Sequence, residues 1–266
     1  MKHTEADSEY TDLEKLDTKA LLRGILEENS KVISAIDKAL PCIEKVIEKC
    51  YIRLTNGGRL FYIGAGTSGR LGIVDASECL PTFGLDNVIL GIIAGGDIAI
   101  RKAVEFAEDD TGQAWIDLQK YHIQEQDTVV GISASGKTPY VLGGLKRAKS
   151  EGIYTVGLVC NINTPIHLIA DDTIEVLTGA EFISGSTRMK AGTAQKIVLN
   201  MISTSLMIKL GRVKGNKMID MQLTNQKLID RGVRMVMEFL KIPHEEAKKL
   251  LLEHGSVRKV LELYKP

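Results

Sequence analysis

Short apolar runs recur along the chain, at Leu60-Phe61-Tyr62-Ile63, Val88 to Ala94, Thr128 to Ile132, Tyr154 to Val159 and Thr173 to Val176, and helical stretches alternate with them. A strand that is apolar throughout is buried on both faces, as strands of a parallel sheet are, and parallel neighbours need a crossover that a helix supplies. The alternation predicts an α/β fold: a doubly wound parallel sheet flanked by helices.

Ahead of the sheet, from Asp17 to about Thr55, apolar residues return at intervals of three and four: Leu21, Leu22, Ile25 and Leu26, then Val32, Ile33, Ile36, Leu40, Ile43, Val46, Ile47 and Cys50. That spacing predicts amphipathic helices, and Pro41, which removes a backbone donor, is expected to kink or restart the second. After Lys190 no strand signal returns. Ala191 to Leu210 and Met218 to Leu240 read as long helices, and Pro243 separates a last one, about His244 to Tyr264. The expected division is N-terminal helices over 1–55 packed on the core, a sheet domain over 56–217 and a short C-terminal helical unit over 218–266.

The 34 basic and 34 acidic residues cancel, so no basic excess advertises nucleic acid or an anionic membrane, and an anionic ligand has to be held by a local site. Met1 to Tyr10 is polar and acidic where a signal peptide carries an apolar core, and no apolar run approaches membrane-spanning length; the expected compartment is the cytoplasm. Cys42, Cys50, Cys79 and Cys160 form no C-x-x-C pair, which suits reduced packing thiols. The histidines show no ligand spacing, so neither a metal nor a histidine mechanism is expected.

The first strand runs into Gly64-Ala65-Gly66-Thr67-Ser68-Gly69-Arg70. Glycines let the backbone approach a ligand there, and the next helix opens with N–H groups that have no partner within it: an anion cradle formed by Gly66, Thr67 and Ser68. The stretch also matches the dinucleotide pattern G-x-G-x-x-G, but Asp75 comes too early to be the ribose carboxylate and Asp97 stands just beyond Gly95-Gly96. A second strand-to-helix turn, Ser133-Ala134-Ser135-Gly136-Lys137-Thr138, is dense in hydroxyls. Two such turns can share one phosphomonoester, hydroxyls and N–H groups together satisfying its acceptor oxygens without a metal. Ser135 or Thr138 alone reads better as a helix cap, the whole cluster as a binding site. A third cluster, Ser184-Gly185-Ser186-Thr187-Arg188-Met189-Lys190, stands at another helix start; Ser184 and Ser186 either reach the ligand or cap the helix, with Arg188 and Lys190 in solvent.

Two acidic positions are candidates for proton transfer. Glu78 lies in Asp75-Ala76-Ser77-Glu78-Cys79-Leu80-Pro81, among small and apolar residues whose burial would raise its pKa toward that of a general acid; the alternative is a solvated surface glutamate. Glu105-Phe106-Ala107-Glu108-Asp109-Asp110 falls at the C-terminal end of a helix expected from about Ile98, where the helix dipole disfavours negative charge. Asp110 can cap the next helix and Arg101 can pair with Glu105, which leaves Glu108 without an explanation.

Taken in order, GGRLFYIGAGTSGRLGIVDASE, PTFG, IAGGDIAI, AEDD, GISASGKTPYV, GSTRMKAGTAQK and LNMISTSLMIKLG resemble the signature of the N-acetylmuramic acid 6-phosphate etherases, over roughly Thr4 to Arg231. The resemblance implies a sugar-isomerase (SIS) fold, no cofactor, a homodimer with sites near the subunit interface, and cleavage of the lactyl ether of N-acetylmuramic acid 6-phosphate to N-acetylglucosamine 6-phosphate and D-lactate. It also implies Glu78 as proton donor and Glu108 as the second active-site residue, here assigned as base. A sugar-phosphate-binding regulator related to glucokinase regulatory protein and an aldose-ketose isomerase share parts of the pattern. The stretch from Arg231 to Pro266 is shorter than the family's usual helical tail.

Overall fold

The computed structural model describes residues 3–264. Two compact units divide the chain, one made of the chain up to Ala76 with Val88–Ser203, the other of Ser77–Asn87 with the chain from Thr204 onward.

In the first unit, the Asp17 carboxylate accepts a hydrogen bond from Ala20 N at 2.7 Å and so caps α1 (Thr18–Thr55). This is one helix of 38 residues that continues through Pro41. The expected restart does not occur: Ile36, Ala39, Ile43 and Val46 are buried on both sides of the proline, and the packing of that face outweighs one missing backbone bond. α1 packs against the last strand of the sheet, where Lys45 and Lys49 both bind Asp172.

The remaining elements follow in alternation: β1 (Leu60–Gly64), α2 (Gly66–Ser77), α3 (Cys79–Phe83), β2 (Ile89–Ile93), α4 (Gly96–Arg101), α5 (Gln113–Gln119), β3 (Thr128–Ile132), α6 (Pro139–Ser150), β4 (Tyr154–Val159), α7 (Pro165–Ile169), β5 (Asp172–Glu175) and α8 (Lys190–Lys209). The five strands form a parallel sheet in the order β2-β1-β3-β4-β5. Alternate side chains face opposite layers. Tyr62 and Ile132 lie against Gly72 of α2, and Ile63 lies against Gly144 of α6. On the α6 side, Phe61, Ile63, Val129, Tyr140, Val141 and Leu145 meet in one core. The sheet is therefore covered on both faces, as its continuous apolar strands require.

The second unit contains α3, a two-residue hairpin of β6 (Val213–Lys214) and β7 (Lys217–Met218), then α9 (Gln226–Leu240), α10 (His244–His254) and α11 (Val257–Leu263). The hairpin corrects the expectation that no strand follows Lys190, and α9 begins eight residues after the expected Met218. Asn225 and Ser256 cap α9 and α11 through Leu228 N and Lys259 N. Ile219, Met221, Val233, Val236, Leu251 and Val260 form a separate core, beside which Arg258 grips Asp220 with Nε and Nη2 at 2.6 and 2.5 Å.

Candidate active site

The chain leaves β1 toward β2 on one side and leaves β3 toward β4 and β5 on the other, so the sheet order reverses between β1 and β3. Connections that diverge in this way open a crevice at the carboxyl ends of the two strands. Gly64 and Ile132 are paired at those ends, and both predicted cradles begin there.

In the first cradle, Gly66 starts α2 at φ +53°, a left-handed conformation that glycine adopts without steric cost. Thr67 and Ser68 occupy the first turn, whose N–H groups point out of the helix start. Ser68 Oγ donates to Gln195 Oε1 at 2.9 Å. In the second, Gly136 turns the chain at φ +66°, and a Cβ there would lie 2.3 Å from Thr164 Oγ1. Ser133 is buried beneath this turn, its Oγ accepting from Gly136 N at 3.1 Å and lying 2.8 Å from Thr138 Oγ1. Thr138 holds the N-cap position of α6 but makes no capping bond; its hydroxyl bonds to Ser133 instead. Ser135 Oγ accepts from Lys137 N at 3.2 Å.

Glu108 does not sit on a helix. α4 ends at Arg101, and residues 105–109 form a turn in which Phe106 stands exposed at φ +59°. Asp110 accepts from Gly112 N and Gln113 N at 2.8 and 3.0 Å just ahead of α5, although the N-cap position itself is taken by Gly112. The Glu108 carbonyl accepts from Tyr140 N at 2.9 Å, so the backbone of this turn is tied to the first turn of α6.

Gly66, Thr67, Ser68, Ser135, Thr138 and Glu108 line one open cleft of about 440 Å³. Glu5, Lys137 and Thr187 are also among its walls. A second cleft, of about 320 Å³, shares Gly66 and Glu108 with the first and adds Arg70, Glu105 and Phe106. Glu108, exposed, thus stands at a space bounded by two helix starts.

The third cluster behaves differently from the other two. Gly185 and Thr187, neighbours of Ser184 and Ser186, line the cleft, while Ser184 Oγ accepts from Ser8 N at 2.8 Å. The start of α8 is already occupied: the buried Glu181 carboxylate accepts from Lys190 N at 2.9 Å and Ala191 N at 3.0 Å. Lys190 is 1% exposed and pairs with the buried Glu28 of α1, which excludes the solvated lysine of the capping-loop alternative. Burial pushes the Glu28 carboxyl up, but hydrogen bonds from Lys190 and Lys31 outweigh it and hold the pKa below the usual carboxylate range.

Glu78 belongs to the second unit, at the N-cap position of α3 without a capping bond. Its neighbours Cys79 and Phe83 are buried, while Glu78 itself is exposed. The cysteines are free; burial pushes the thiols of Cys50 and Cys160 up to about 12, which makes them inert packing groups. Among the described residues no group of three acidic, histidine or cysteine side chains stands ready for a metal, and no helix is long and apolar enough to cross a membrane.

Sequence reasoning missed Glu5 and Gln195. Glu5 is brought to the cleft by long-range bonds, Thr4 N to Asn161 Oδ1 at 3.1 Å and Asn161 Nδ2 to Thr4 Oγ1 at 2.7 Å. Gln195 lay within the quoted GSTRMKAGTAQK segment, but a glutamine inside a helix carries no local signal of its partner.

The model for the glucokinase regulatory protein N-terminal SIS domain matches residues 42–149, and that for the C-terminal lid domain of the same protein matches 215–262. The tail expected to fall short of its relatives is thus matched over α9 and α10 and most of α11. A Christiangramia forsetii protein named N-acetylmuramic acid 6-phosphate etherase is 60% identical over 98% of this chain and 96% of its own length. A Bacteroides thetaiotaomicron protein of that name is 53% identical over 100% and 96%, and one from Cronobacter sakazakii is 49% identical over 91% and 82%. Among solved structures, an Escherichia coli protein determined as a ligand complex superposes with a TM-score of 0.55 at 16% identity, covering 76% of this chain and 97% of that one. A phosphoheptose isomerase from Francisella tularensis gives 0.53 at 16%, over 72% and 98%. At such identities the likeness is one of fold.

Proposed function

The chain belongs to the N-acetylmuramic acid 6-phosphate etherase family, and on that premise we propose that it cleaves N-acetylmuramic acid 6-phosphate to N-acetylglucosamine 6-phosphate and D-lactate. The observation that carries this reading is the juxtaposition of Glu108 with two hydroxyl-rich helix starts around one cleft. The helix starts suit a terminal phosphate, because N–H groups, hydroxyls and two helix dipoles favour an anion there. A phosphate anchored at carbon 6 leaves the rest of the opened sugar to extend past Glu108.

The ether oxygen is on carbon 3, beta to the aldehyde of the open-chain sugar. Glu108 takes the proton from carbon 2; the electron pair forms the carbon 2–carbon 3 double bond as the carbon 3–oxygen bond breaks. Glu78 gives a proton to the departing lactate oxygen, and water then adds across the double bond, its hydroxyl on carbon 3 and a proton returned to carbon 2. A base and an acid are sufficient for every step.

A homodimer forms part of the proposal. Leu22, Leu26 and Ile33, spaced four and seven apart on α1, are each more than 60% exposed, a seam suited to a second copy. The cytoplasm and the recovery of cell-wall peptidoglycan sugars are the proposed setting. A regulator that binds the sugar phosphate without cleaving it is the second reading, favoured by the exposed Glu78 and by the glucokinase regulatory protein match.

The deciding experiment is lactate release by the purified protein, without added metal, from N-acetylmuramic acid 6-phosphate beside the unphosphorylated sugar. Release from the phosphorylated sugar alone supports the etherase. Binding of the sugar phosphate without release supports the regulator.

A further inference from the structure

Ser68 lines the cleft, yet its hydroxyl hydrogen is committed elsewhere, to Gln195 Oε1 at 2.9 Å. In that arrangement the hydroxyl offers lone pairs to the cleft, and lone pairs facing a phosphate oxygen repel it. Gln195, on α8, is 1% exposed, and its Nε2 has no hydrogen-bond partner among the described residues. A buried amide donor left unpaired is costly.

Both defects have one remedy. Half a turn of the Gln195 amide about its last side-chain bond places Nε2 against Ser68 Oγ as donor and releases the serine hydrogen toward the cleft. With a phosphate present, two hydrogen bonds then replace one: Nε2–H to Ser68 Oγ, and Ser68 O–H to a phosphate oxygen. The group left bare is a carbonyl oxygen, which proteins leave unsatisfied more readily than an N–H.

We infer that Gln195 is a positioning residue of the phosphate site: its amide sets which way the Ser68 hydroxyl points, and a bound phosphomonoester holds it in the donating orientation. The inference rests on reading the cleft as the phosphate site. It explains why a glutamine is used at this position, since an amide can present either a donor or an acceptor to the same hydroxyl.

Gln195→Glu tests it through pH. An ionised carboxylate can only accept, which keeps the Ser68 hydrogen turned away from the ligand, whereas a protonated carboxyl can donate as the amide does. Calorimetric titration with N-acetylglucosamine 6-phosphate should show the variant binding about ten- to a hundredfold more weakly than the wild type in alkaline buffer, the size of a lost charge-assisted hydrogen bond. The ratio of variant to wild-type affinity should recover as the pH falls through the new carboxyl's titration.

Gln195→Met, which neither donates nor accepts, should weaken binding severalfold with no pH dependence in that ratio. In a Ser68→Ala background, Gln195→Glu should add little further loss. A pH-independent loss in Gln195→Glu, or an equal loss with and without Ser68, overturns the inference and leaves Gln195 a packing residue. Failure of the wild type to bind the sugar phosphate overturns the cleft reading itself, whereas equal binding by wild type and Gln195→Glu overturns the positioning role alone.

Discussion

The main-chain N–H of Tyr140 donates to the carbonyl of Glu108 at 2.9 Å. One of the free donors at the start of α6 is thereby used to fix the turn that carries the proposed base, and the hydroxyls of the same helix start remain for the ligand. The main chain at Glu108 is therefore held independently of its side chain, and replacing that side chain should leave the fold intact.

Glu108→Gln should abolish both lactate release and exchange of the carbon 2 hydrogen with solvent deuterium, while sugar phosphate binding persists. Glu78→Ala should lower lactate release by about 10²–10⁴, the usual worth of a positioned acid, yet retain carbon 2 exchange. Mass spectrometry of recovered substrate reads the exchange. Loss of exchange in Glu78→Ala with retention in Glu108→Gln would reverse the two roles.

Gly136→Ala should weaken phosphate binding and destabilise the first unit. The new methyl would have to share space with Thr164 Oγ1 2.3 Å away and would lock a left-handed residue into strain, together costing about 2 kcal/mol or more. Urea unfolding of the variant measures that loss, and a wild-type midpoint would show that the turn relaxes freely.

Acid should loosen the contact between α1 and β5. Burial raises the Asp172 carboxyl pKa, but hydrogen bonds from Lys45, Lys49 and Tyr154 prevail and lower it to about 2. Because the folded pKa lies below the unfolded one, Asp172 contributes stability above about pH 4 that is lost as the pH falls toward 2. Allowing for the partly exposed lysines, that contribution is about 1–2 kcal/mol. Asp172→Asn should remove it at neutral pH and flatten the stability profile between pH 4 and 2; an unchanged profile would mean that the lysine pairs add nothing.

Lys190→Met should destabilise the first unit by about 3 kcal/mol, since it leaves the buried Glu28 with only the half-exposed Lys31 as its cation. Glu28→Gln combined with Lys190→Met should recover part of the loss, an outcome that chemical unfolding can read directly. If the double variant is worse than the single one, the pair is stabilising beyond the charge it neutralises.

β1, β3 and β4 were legible almost to the residue because complete burial writes an unbroken apolar run, and the first two end where a glycine or hydroxyl begins a turn. Both cradles were legible for a related reason: a turn's chemistry is local. What escaped depends on contacts between distant residues. Pro41 reads as an interruption until the buried faces on either side of it are seen in one helix, and Lys190 reads as solvated until Glu28, 162 residues away, is placed beside it. The helix expected through Glu105 stops at Arg101, with Lys102 already extended as its C-cap. Gln195 and Glu5 matter only through what they touch.

The attachment of Thr4 to Asn161 also bears on how this protein is handled at the bench. Thr4 is wholly buried and Glu5 lines the cleft, so an affinity tag or fluorescent carrier joined ahead of Thr4 would start within a few residues of that cleft. Cleavable tags ahead of Thr4 should be removed before affinities are compared.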